Sequence, residues 1–165
     1  MHIDFFLERF CANSENEAMI WHDKVYTYHD ILSYIEQDRE KLKESISSPM
    51  VVSIEADFSP HAAALLLTLI DLGCVIVPLT ESVASKKGEF KDIAQVEATV
   101  ILHEDDSFSF QTENRRADHE IIQKLKRENH PGLILFSSGS TGKSKAAARG
   151  TGPGAEPWNA YGYRQ

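Results

Sequence analysis

The residues with the clearest chemical potential lie together in the run Ser137-Ser138-Gly139-Ser140-Thr141-Gly142-Lys143-Ser144-Lys145. Gly139 and Gly142 lack a Cβ and let the backbone approach an anion closely. Unpaired N–H groups and the hydroxyls of Ser137, Ser138, Ser140 and Thr141 are donors, and Lys143 and Lys145 supply charge. That inventory suits a triphosphate. A hydrogen bond to a charged partner contributes about 1.5–3 kcal/mol net, so several such donors offset the cost of ordering the loop. The loop supplies binding and not bond breaking, and no cysteine pair or Ser-His-Asp set accompanies it.

Two other readings compete for this run. A flexible Gly/Ser linker seldom follows directly on an apolar strand such as Leu133–Phe136, nor does it carry two lysines. The P-loop of nucleoside triphosphatases matches at Gly142-Lys143-Ser144 but needs Gly where Ser137 stands. It also needs a later strand bearing a Mg²⁺-binding Asp, and no Asp follows Ser144.

The elements that must position the loop follow from periodicity. Ile3, Phe6, Leu7 and Phe10 predict a short amphipathic helix, and the runs Ala18–Trp21 and Val25–Tyr28 around His22-Asp23-Lys24 predict a hairpin. Thr27 reads as an N-cap with Asp30 at the capping-box position, opening a helix to about Ser45 with Ile31, Leu32, Ile35, Leu42 and Ile46 on one face. Val51–Ile54 is a buried strand, and Ser59, Pro60 and Gly73 delimit the next helix. Cys74–Val77 is a strand, Phe90, Ile93, Ala94 and Ala98 mark a helix, and Thr99–Leu102 is a strand. Alternation of this kind predicts an α/β fold with a mostly parallel sheet and flanking helices. Ser107–Gln111 adds a strand, Ile121, Ile122 and Leu125 line a helix, and Leu133–Phe136 is the strand that delivers the loop.

The chain of 165 residues is long enough for one domain with a core, and its 42% hydrophobic and 25% charged content is that of a globular protein. A net charge of -8 argues against nucleic-acid partners, which need basic surfaces. Cys11 and Cys74, each in an apolar setting, read as small buried hydrophobes in a reducing, cytoplasmic compartment. The N-terminus lacks the pattern of a secretory signal, and the apolar stretch Ala62–Ile70 is too short to span a bilayer. The seven histidines show no metal-ligand spacing; His103-Glu104-Asp105-Asp106 reads as an acidic turn, and His61 and Glu81 as structural.

Leu133 to Lys145 resembles the phosphate signature of the adenylate-forming (AMP-binding) superfamily of acyl-CoA synthetases, amino-acid adenylation domains and luciferases. Its usual form is an apolar strand followed by T/S-S-G-S/T-T-G-x-P-K-G, which Ser137 through Lys143 and Lys145 match. Upstream, Val25-Tyr26-Thr27-Tyr28 with Ile31-Leu32 resembles the family's T-Y-x-E-L segment. Val51 to Pro78 resembles its next βαβ unit, ending in V-P-L. The resemblance implies that residues 1–148 are the N-terminal part of an adenylation domain ending at the phosphate loop. It also implies a complete enzyme in which a carboxylate attacks the α-phosphorus of MgATP. The acyl-adenylate and pyrophosphate form, and a thiol acceptor such as coenzyme A or a carrier protein then takes the acyl group. Ser137, Ser138, Gly139, Ser140, Thr141, Gly142, Lys143 and Lys145 would hold the β- and γ-phosphates.

The pattern breaks at Ser144, where the family has Pro, and at Ala146, where it has Gly; Ala disfavours any conformation needing a positive φ. The segment 149–165 carries four Gly and two Pro without a periodic apolar face and reads as a disordered tail from a frameshift, a truncation or a cloning remnant. The family's Mg²⁺-coordinating acid, ribose-binding Asp and catalytic Lys would all lie beyond it. The expectation is therefore a fragment without activity of its own, whose sheet and helix faces could lead it to self-associate. A non-catalytic partial domain or small interaction protein is the competing class.

Overall fold

The fold is that of a computed structural model, which describes residues 2–46, 48–138, 144–150 and 159–161. The chain opens with α1 (Asp4–Ala12) and a two-stranded hairpin of β1 (Glu17–Trp21) and β2 (Lys24–Thr27). His22 and Asp23 turn that hairpin with φ of 48° and 60°, as a two-residue connection of matching twist requires. Thr27 then caps α2 (Tyr28–Leu42) through a full capping box. The Thr27 N–H donates to Asp30 Oδ2 at 2.8 Å, and the Asp30 N–H to Thr27 Oγ1 at 3.3 Å.

The βαβ pattern predicted from Val51 onward is present as β3 (Val51–Glu55), α3 (Pro60–Asp71), β4 (Val75–Leu79), a 3-10 turn (Glu81–Lys86), α4 (Lys87–Ile93) and β5 (Ala98–Leu102). The Ser59 hydroxyl accepts from the Ala62 N–H at 3.1 Å, and Gly73 closes α3 with φ of 74°, a conformation that suits glycine. Then come β6 (Phe108–Thr112), α5 (Glu120–Arg127), β7 (Gly132–Ser138), β8 (Ser144–Gly150) and β9 (Asn159–Tyr161). The seven strands of the main sheet run in the order β6-β5-β3-β4-β7-β8-β9. Its centre, β5-β3-β4-β7, is parallel; β6 and β8 join antiparallel at either side, and β9 pairs antiparallel with β8.

Helices cover both faces. Leu42 of α2 and Leu65 and Leu69 of α3 pack on Val52, Ile54 and Ile76, while Phe90 of α4 and Ile122 and Leu125 of α5 pack on Val51, Val75, Val77 and Ile134. Successive strand residues alternate between these two cores, which is why β4 reads as an unbroken apolar run and β3 is interrupted before Glu55 only by the buried Ser53, hydrogen-bonded to Thr99. The faces of α2 and α3 thus find partners within the chain. Among the described residues no helix is long and apolar enough to cross a membrane.

Three expectations are corrected. α2 ends at Leu42 and not near Ser45, because serines and Pro49 follow and disfavour helix, although Ile46 is still buried. The helix expected to include Ala98 stops at Ile93, Gln95 takes φ of 54°, and Ala98 pairs with Val52 in β5; its spacing from Ala94 mimicked a helical period. Cys11 is exposed on α1, so only Cys74 is the buried thiol, and burial pushes its pKa up to about 12.

Candidate functional site

In a parallel sheet every strand points its carboxyl end to the same edge, where open α/β sheets hold ligands. Here β7 reaches that edge at Ser138, and β8 returns from Ser144 with seven register pairs, Ser138 opposite Ser144, Ser137 opposite Lys145 and Phe136 opposite Ala146. Gly139, Ser140, Thr141, Gly142 and Lys143 lie outside the described residues. The strands on either side of them are described: Ser138 and Ser144 are register partners in an antiparallel pair at that edge, and Ser137 there is exposed.

Such a hairpin distinguishes between the readings of the run. A triphosphatase P-loop passes from strand into helix, whose first N–H groups help hold the phosphates; here Ser144 begins a strand. A flexible linker would not join two strands in continuous register. Nor does Ala146 need a glycine's freedom: it lies in the strand, fully buried, and has no positive φ.

Packing on one face holds the hairpin in place. The Phe136 ring stacks on Phe90 of α4 with centroids 4.1 Å apart and 2° between planes, and Phe90 is itself buried in the core that contains Ala146. At the other end of β7, Gly132 lets α5 approach the sheet: a Cβ there would lie 2.8 Å from Leu125 Cδ1 and 3.3 Å from the Arg149 carbonyl oxygen. The strand that carries the loop is therefore gripped by α4 near its carboxyl end and by α5 at its start.

Two polar clusters were missed at the level of the sequence. Asp38 and His61 are both buried, with His61 Nε2 3.0 Å from Asp38 Oδ1; His61 Nδ1 lies 3.6 Å from Asp106 Oδ1. Tyr34 stacks on the His61 ring at 4.3 Å and donates its hydroxyl to Asp106 at 3.2 Å, and burial with the Asp106 carboxylate pushes the phenol up to about 12. The second is Glu97, just before β5, which accepts from the Val51 N–H at 2.8 Å and the Ala117 N–H at 3.1 Å and pairs with Lys126 at 2.8 Å. It ties the amino-terminal edge of the sheet to α5, away from the loop. The acidic turn His103–Asp106 is a turn, as read, and Asp106 takes φ of 61° within it.

No protein-family model matches the chain, and no curated protein matches it. Solved structures do. The chain superposes on the Klebsiella oxytoca NpsA N-terminal subdomain in complex with 3-hydroxybenzoyl-AMSN with a TM-score of 0.65 and 20% identity, covering 89% of this chain and 40% of that one. NpsA-ThdA, an artificially fused adenylation-PCP di-domain of a nonribosomal peptide synthetase from the same organism, gives 0.65 at 21%, over 89% and 32% of the two chains. The holo form of AB3403, a four-domain nonribosomal peptide synthetase bound to AMP and glycine, gives 0.64 at 16%, over 91% and 12%. The chain has the fold of part of an adenylation-domain N-terminal subdomain, and spans 40% of the length of the NpsA subdomain.

Proposed function

We propose that this chain is the phosphate-binding part of an ATP-dependent, carboxylate-activating ligase. The observation that carries the proposal is that the Ser/Thr/Gly/Lys run connects β7 to its antiparallel partner β8 where β7 ends at the carboxyl edge of the parallel sheet. Its donors match the oxygens of a polyphosphate, and the fold shared with adenylation domains supports the same reading. In the complete reaction a carboxylate oxygen attacks the α-phosphorus of ATP, the bond to the bridging oxygen breaks, and pyrophosphate leaves. Ser137, Ser138, Gly139, Ser140, Thr141, Gly142, Lys143 and Lys145 would hold that leaving group, the lysines stabilising the charge it gains. The loop has no carboxylate of its own. Mg²⁺ would arrive with the ATP, bound to its phosphate oxygens.

Likeness to adenylation domains favours a carrier-protein thiol as the final acceptor over coenzyme A. The chain alone is proposed to bind without catalysing, in a soluble, cytoplasmic setting. Titration of the full chain with pyrophosphate and with MgATP tests the proposal. Saturable binding that the Lys143→Ala/Lys145→Ala double variant weakens at least about tenfold is expected, since a hydrogen bond between charged groups contributes about 1.5–3 kcal/mol. Absence of saturable binding, or equal affinity in the double variant, overturns the phosphate-loop reading. Carboxylate-dependent exchange of pyrophosphate into ATP above background overturns the inactivity.

A further inference from the structure

Two clefts meet at the carboxyl ends of β3, β4 and β5. The first, of about 160 Å³, opens between β3 and β4. The crossover from β3 leaves through α3 on one face of the sheet, and the crossover from β4 leaves through α4 on the other, so this is a switch point of the kind at which open sheets bind ligands. Its walls are almost wholly carbon, from Met19, Ile54, Ala62, Ala63, Leu66 and Pro78. Apolar cavities of about 150 Å³ accommodate benzene, so one ring or a short branched chain fits.

The second cleft, of about 500 Å³, is lined by Trp21, His22, Leu102, His103, Glu104 and Asp106. Ala56, Asp57 and Ser59 line both clefts, which therefore form one trough, apolar at one end and acidic at the other. The carboxylates of Asp57 and Glu104 have no hydrogen bond or ion pair among the described residues, whereas Asp106 receives the Tyr34 hydroxyl at 3.2 Å. Against these three negative groups stands the amino-terminal end of α3, equivalent to about half a positive charge. This excess of carboxylates favours a cation, and Trp21, whose ring meets His22 edge to face with centroids 4.5 Å apart, lines the same cleft.

We propose that this trough binds a small aralkyl- or alkylammonium ion, its ring or chain in the apolar end and its ammonium beside Asp57. The lining of the trough shares no residue with the run Ser137–Lys145 and its charge preference is the opposite one, so the proposal does not depend on adenylation.

The test is a titration of the isotopically labelled full chain with three ligands of matched shape, 2-phenylethylamine, 2-phenylethanol and phenylacetate, read by amide chemical shifts. The amine should shift Ala56–Ala63 and Thr80 saturably, bind about fivefold or more tightly than the alcohol, and outcompete the anion. Asp57 is exposed, so Asp57→Asn keeps the fold and should bring the amine down to the alcohol's affinity. Ala63→Leu fills the apolar end and should abolish binding of both. Equal affinity of amine and alcohol, an unchanged amine affinity in Asp57→Asn, or no saturable shift up to about 20 mM overturns the proposal.

Discussion

Asp38 and His61 show how far a single residue can depend on its partner. Asp38 lies on the apolar face of α2, three residues after Ile35 and four before Leu42, with its side chain fully enclosed. A carboxylate there is stable only when paired, and His61 of α3 provides the pair at 3.0 Å. His61→Ala should therefore destabilise the chain by about 3–5 kcal/mol in urea unfolding, because it strands the Asp38 charge. Replacing both, Asp38→Leu with His61→Leu, should recover most of that loss. If the double variant were as unstable as the single one, the cost would lie in packing and not in the charge. His61 was read from the sequence only as structural and Asp38 was not singled out; their pairing was not legible, because it joins two helices whose packing no local pattern encodes.

At the scale of the element, local chemistry that the sequence spells out is what the chain uses. The Thr27 box, the Ser59 cap with Pro60 and the closing Gly73 were all legible, because each acts within one turn of its helix. Thr27→Ala should cost about 1 kcal/mol at pH 7. The Asp30 carboxyl is held below its ordinary value first by its hydrogen bond from the Thr27 backbone N–H and next, among the lowering causes, by the Thr27 hydroxyl. A depressed folded value means stability that is present above the unfolded value of 3.8 and lost as pH falls through the folded one. The gap between wild type and Asp30→Ala should narrow in that window, and a gap constant down to pH 2 would exclude the box as its source. The elements misjudged were those decided at a distance. β8 has no alternation that announces a strand in Ser144–Gly150; it is extended because β7 pairs with it and Phe90 packs beneath. The residues proposed to bind phosphate stand together in the sequence as a set, while the pairing of β7 with β8 on either side of them was not legible, since pairing between strands is nonlocal.

The whole molecule is a sheet with unequal cover. On β7 the alternation separates Ile134, fully buried against α5 and α4, from Leu135, 41% exposed on the opposite face, where Leu133 two residues earlier still packs against the core under α2 and α3. The NpsA subdomain on which the chain superposes is longer, this chain spanning 40% of it. Two substitutions one residue apart should consequently behave as if they belonged to different proteins. Ile134→Ala removes buried methyl groups and leaves a cavity beneath the loop, and should cost about 2–5 kcal/mol in urea unfolding. Leu135→Ala loses only partly exposed surface, and should cost under about 1 kcal/mol while lowering the binding of a dye that reports apolar surface. Similar losses at both positions would mean that both faces of β7, the strand leading to the proposed phosphate loop, are packed in solution.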